Sequence, residues 1–164
     1  MPPLCWACMP VPNKGADMRV PSWSEPLGML LLRLGCAWFI FVWAVNKYLA
    51  PGQYAFVLKK FDGIEADFTQ VYVIATVQVI ICIAVFLGYQ RTFGYALLAI
   101  LHGLTIYRVY PALLDPFLIS EKGFPKNRNS VNALTIFLAM LALWLLRARD
   151  TWSLDAWLQR RRRY

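Results

Sequence analysis

No aspartate or glutamate falls within the four long apolar segments of this chain, and its 164 residues contain a single histidine. Charged residues make up only 16%, against about a quarter in a soluble domain, so a polar-surfaced soluble domain is excluded. A lone histidine builds no metal centre, and no histidine or cysteine stands at ligand spacing within the apolar segments, so no metal site is expected. No haem, flavin or iron–sulfur signature occurs, nor an internal repeat or low-complexity segment. One Cys-x-x-Cys is present, "CWAC" at Cys5 to Cys8, without a second such pair to complete a zinc site. The net charge of +8 does not point to nucleic acid, because the basic residues cluster at the ends of apolar runs, where they orient membrane proteins.

What is there is hydrophobic: 59% of the chain, with a mean hydropathy of +0.47. The apolar segments are Leu27–Asn46, Gln70–Gly88, Phe93–Leu114 and Val131–Leu146. A bilayer core of about 30 Å takes roughly 17 to 25 helical residues, and only structures that satisfy their own backbone hydrogen bonds cross it. The pattern therefore predicts an all-α, four-helix transmembrane bundle. Trp23, Tyr48, Tyr72, Tyr89, Tyr110 and Trp152 flank the spans, as aromatic residues do at an interface. The first segment starts too late and is too long for a cleavable signal peptide.

Four spans put both termini and the Tyr89–Thr92 turn on one side. That side carries Lys14, Arg19, Arg91, Arg147, Arg149 and Arg160 to Arg163, nine basic residues, against six on the other: Lys47, Lys59, Lys60, Lys122, Lys126 and Arg128. The bias predicts cytoplasmic termini in a cell (inner) membrane. The run Arg160 to Arg163 then reads as an anchor on anionic lipid headgroups. Residues 1–26 read as a proline-rich, flexible lead, 27–155 as the membrane domain and 156–164 as a basic tail. A short interfacial helix is expected around Tyr54 to Phe61, with Lys59 and Lys60 snorkelling.

Several stretches, in order, resemble the DoxX family of small four-helix membrane proteins. "LLRLGCAWFIFVWAVNKYLAP" looks like its first helix and "FLGYQRTFGYALLAILHG" like its second-to-third hairpin. "FPKNRNSVNALTIFLAMLAL" looks like its entry into the last helix, and "RARDTWSLDAW" like its C-terminal signature. The first-helix glycines common in the family are replaced here by "CAWFIFVWA", and "RARDT" stands in place of a glycine-rich segment. The resemblance implies a subunit of a membrane redox system that passes electrons from a thiosulfate-like anion to quinone, with a partner redox subunit. A non-catalytic membrane scaffold for a partner oxidoreductase is the alternative, so enzymatic activity itself stays open.

Polar groups inside a membrane are costly and are functional candidates by default. Arg33 lies about 9 Å into the first span at 1.5 Å per residue, and His102 falls near the middle of the third. These two are the candidate catalytic residues. Lys47, Arg108, Gln78 and Asn132 are the candidate substrate-binding residues. The spans contain no acid to neutralise Arg33, Lys47 or Arg108; Asp62, Asp115 or Glu121 could fold back from the loops. Failing that, Lys47, Arg108, Lys126 and Arg128 form an electropositive mouth that attracts an anion. A neutral His102 is expected to hydrogen-bond a quinone carbonyl or, on a packing reading, Gln78 or Thr135. Arg33, Gln78 and His102 are expected to face the bundle interior. Cys36 and Cys82 are expected to pack as small apolar residues.

Overall fold

The computed structural model describes residues 21–121 and 123–163. The CWAC pair and most of the proline-rich lead lie outside them. Among the described residues the chain is all-helical, with four helices long and apolar enough to cross a membrane. These are α1 (Ser24–Leu49), α3 (Phe68–Leu87), α4 (Arg91–Leu114) and α5 (Arg128–Leu145). A shorter α2 (Pro51–Asp62) follows α1, and a 3₁₀ turn (Arg147–Arg149) and α6 (Leu154–Arg161) follow α5.

Local chemistry sets the boundaries. Pro51 opens α2, where its missing N–H costs nothing. Asp67 and Gln70 exchange hydrogen bonds in a capping box that starts α3. Gly63 ends α2 at φ +69° and Gly88 ends α3 at φ +66°, a left-handed conformation that suits glycine. The turn between α3 and α4 is short, which makes them antiparallel neighbours.

α1 packs chiefly on α3, and α4 on α5. The buried core runs through Met29, Cys36, Ala37 and Ile40 of α1, Cys82 and Val85 of α3, Tyr95, Leu98 and Ala99 of α4, and Met140 and Leu143 of α5. Cys36 and Cys82 are free thiols in this core. Small side chains at Ala37, Ala44, Ala75 and Cys82 are fully buried and suit the close helix approach on which membrane packing depends. Leu31, Trp38, Ile80, Phe93, Ile100 and Leu138 instead point outward. Lipid covers such residues at no cost in a spanning bundle, whereas water would not.

The bundle has two unlike ends. The proximal end holds the start of α1, the α3–α4 turn and the described C-terminal residues after α5; Arg149 bonds Glu25 there at 2.7 Å. That exposed contact raises the Arg149 pKa, through the hydrogen bond first and the charge second. The distal end holds α2 and the Asp115–Asn127 loop. The segment expected as a basic tail from residue 156 is helical to Arg161, continuing a helix that is joined to the bundle through Asp155.

Candidate functional site

Three polar clusters lie along the bundle. At the proximal end, Arg33 Nη1 donates to Asp150 Oδ2 at 2.7 Å and Nη2 donates to the Trp152 carbonyl at 3.1 Å. Tyr95 donates its hydroxyl to the same Asp150 oxygen. Arg33 is 3% exposed and Asp150 is fully buried. This corrects the expectation that Arg33 lacks a carboxylate. Its partner comes from the segment after the last span, and Arg33 joins α1, α4 and the C-terminus through it.

Asp155 extends the same lock. Its carboxylate accepts the backbone N–H groups of Gln90 and Arg91, at 3.1 and 2.8 Å. Gln90 supplies no side-chain cap to α4, so Asp155 caps that helix from 64 residues away. Arg91 Nη1 donates to the carbonyls of Arg147 and Asp150, and Ser153 both bonds the Asp150 carbonyl and caps α6. "RARDTWSLD" is thus a structural closure of the bundle.

The second cluster is interior. Lys47 is 6% exposed. Its Nζ donates to the Trp43 carbonyl at 3.2 Å and sits 4.4 Å from the centre of the Tyr54 ring. Among the described residues no carboxylate pairs with it. On α3, Gln78 Oε1 is buried without a hydrogen-bond partner. Tyr48 stacks on Tyr72 and bonds Thr76, while Arg33 abuts Gly88. These contacts fix an antiparallel register that puts Gln78 level with Trp43, whose carbonyl holds Lys47. His102 is 3% exposed, lies at about mid-length of α4, and meets Phe39 edge-on at 5.2 Å and Phe137 at 6.5 Å. Its Nε2 lies 2.9 Å from the Ala133 carbonyl. A carbonyl carries no proton, so Nε2 is the donor. The neutral imidazole then has its N–H engaged and offers Nδ1 as an acceptor. This differs from the expected bond to a quinone carbonyl, and from the packing bonds to Gln78 or Thr135. A ligand hydroxyl suits neutral His102; a ligand carbonyl requires the imidazolium.

The third cluster is distal. Arg108 pairs with Asp62 at the end of α2, at 2.7 and 2.9 Å. Asp62 does fold back, so the mouth is not a set of four uncompensated cations. Lys126 and Arg128 are exposed and form no ion pair among the described residues. Asn132 is exposed and joins none of the clusters, although the carbonyl of its neighbour Ala133 holds His102.

Of the six residues singled out from sequence, Lys47 and His102 are buried and Gln78 is half-buried, Arg33 belongs to the proximal lock, and Arg108 is distal. Sequence reasoning missed Asp150, Asp155, Tyr95 and Tyr54. The signal for Asp150 and Asp155 was the stretch "RARDTWSLDAW", singled out by resemblance without a role for either acid. No family model, no curated protein and no solved structure matches the chain.

Proposed function

We propose that this chain is a DoxX-like subunit of a membrane redox system that receives a small anion from the distal side and serves a quinone near His102. The carrying observation is Lys47: a buried ammonium held by one carbonyl and one aromatic face, with no carboxylate beside it among the described residues. A buried cation without a counter-ion is costly, and an anionic ligand would relieve that cost. In this reading Lys47 and Gln78 bind, and Arg108 tunes the approach of charge. In quinone reduction His102 first takes up a proton at Nδ1 and, as the imidazolium, donates it to a quinone oxygen as the electrons arrive; the neutral imidazole left behind accepts a hydrogen bond from the quinol hydroxyl. Electrons pass between bound substrates or through a partner redox subunit. Arg33 is assigned a structural role instead of a catalytic one. The membrane is the inner membrane and both termini face the cytoplasm, on the nine-to-six bias of basic residues.

The test is quinone reduction by the purified protein with any partner subunit, using thiosulfate and related anions as donors. Lys47→Gln should weaken anion binding, and His102→Phe should slow quinone reduction while leaving anion binding largely intact. Full activity in both variants overturns the reading. Reporter fusions at Tyr164 and within Glu121–Asn127 should give opposite signals, with the C-terminal fusion cytoplasmic.

A second reading, a non-catalytic scaffold for a partner oxidoreductase, is favoured by the lock itself. Arg33, one of the two candidate catalytic residues, is consumed by Asp150 and the Trp152 carbonyl. Co-purification of a partner that survives Lys47→Gln and His102→Phe, without any anion-dependent electron transfer, would establish it.

A further inference from the structure

The folded C-terminus leaves a cleft of about 200 Å³ between the start of α4, the 3₁₀ turn and α6. Arg91, Arg160 and Arg163 line it with Thr151, Gln159 and Ala148, and no acidic residue lines it. Two of the three guanidinium groups are tied to backbone carbonyls. Arg91 is held by the carbonyls of Arg147 and Asp150, with Asp155 3.7 Å from its Nε, and Arg160 Nη2 donates to the Thr151 carbonyl at 2.9 Å. Held guanidinium groups meet a phosphate with little further loss of side-chain freedom. The cleft lies where α5 ends and α4 begins, the level of the lipid headgroups for helices that cross a bilayer. Leu145, Leu146, Trp152 and Trp157, close to the lining residues in the chain, are exposed apolar side chains of the kind that acyl chains cover.

We propose that this cleft is a binding site for the phosphate of an anionic phospholipid. It rests on the four spans and not on the redox reading. It also divides the arginine run. Arg160 and Arg163 line the cleft. Arg161 lies over the Trp157 ring at 3.9 Å, and Arg162 lines a separate hollow on α6 beside Asp155 and Tyr89. A general attraction to an anionic surface would count all four arginines alike; a site does not.

The experiment uses the full chain, delipidated in detergent, with phosphatidylglycerol, phosphatidylcholine or inorganic phosphate added and binding read by native mass spectrometry. Phosphatidylglycerol should bind best. Arg160→Gln/Arg163→Gln should lower its affinity about 25-fold, from about fivefold for each direct hydrogen-bonded contact to the phosphate that is lost. Arg161→Gln/Arg162→Gln, with the same change in charge, should stay within about fivefold, as for charges acting through screened solvent. Unfolding temperatures without lipid identify any variant that has lost its fold. Arg163→Gln alone, which removes no hydrogen bond found among the described residues, should still show the fivefold loss. Equal losses in the two double variants overturn the site in favour of diffuse attraction. Phosphatidylcholine binding as tightly as phosphatidylglycerol overturns it too, and so does inorganic phosphate competing at matched concentration, which would make this a soluble-anion site.

Discussion

Arg33 and Asp150 stand 117 residues apart in sequence and meet at 2.7 Å, with their side chains 4% and 0% exposed. Two charges hidden this completely stabilise a fold only as a pair. Removing either leaves the other buried and uncompensated, at a cost of about 3 to 5 kcal/mol. Asp150→Leu and Arg33→Met should each destabilise the protein by about that amount. The double variant should lose less than either single one, because no charge is stranded. Reversible unfolding in mixed detergent reads all four proteins. Additive losses in the double variant would show that the pair is not coupled.

Gly88 sits against that pair. A Cβ at this position would lie 2.5 Å from Arg33 Nη1 and 2.5 Å from Ser153 Cβ, and the residue holds φ +66°. Gly63 has nearly the same φ, +69°, but open space around it. Gly63→Ala should therefore cost only the left-handed term, about 1 to 2 kcal/mol. Gly88→Ala should add about 1 to 3 kcal/mol of overpacking, since Ser153 is buried and pinned to the Asp150 carbonyl. Equal losses at the two glycines would mean that the C-terminal segment is not seated on the bundle as described.

Asp155 offers a local readout of the same closure. It caps the first turn of α4 through two backbone N–H groups, while α3 has its own cap in Asp67. Asp155→Ala should cost about 1 kcal/mol and speed amide exchange at Arg91 to Gly94. Exchange at Thr69 to Tyr72 should stay unchanged. Asp155→Asn, which keeps an accepting oxygen, should fall between the two. Acceleration in both helices would point to global loosening in place of a lost cap.

The spans were legible because their signal is local. Apolar runs of bilayer length specify helices without reference to partners, and the four observed helices differ from the expected segments by at most a few residues at their ends. The helix in the first loop was legible too; Pro51 and Gly63 extend it beyond the expected Tyr54 to Phe61. Inward-facing His102 and half-buried Gln78 followed from the cost of exposing polar groups to lipid. The lock was not legible. Asp150 lies among arginines after an apolar run, where an acid reads as a solvated neighbour of Arg147 and Arg149. Nothing in the spacing ties it to Arg33. Gly88 carries no mark of the guanidinium packed on it, and Asp155 no mark of a cap given to another helix. Pairings of that kind are properties of the closed bundle, and a periodicity within one segment does not record them.

The distal pair makes the anion reading testable by sign. Asp62 lies 2.7 Å from Arg108, and both side chains are partly open to solvent, at 21% and 26%. Asp62→Asn should remove a negative charge from the approach to Lys47 and strengthen binding of a small anion. Arg108→Gln should weaken it. Each change should amount to about two- to fivefold, the range of a partly exposed charge interaction, and should shrink as salt is raised. Lys47→Gln should cause a larger loss that salt alters less, because a buried ammonium is poorly screened. Calorimetric titration with thiosulfate at low and high ionic strength separates these effects. An Asp62→Asn variant that binds the anion more weakly would mean that Asp62 orders the site instead of opposing its ligand, and the distal entry would have to be abandoned.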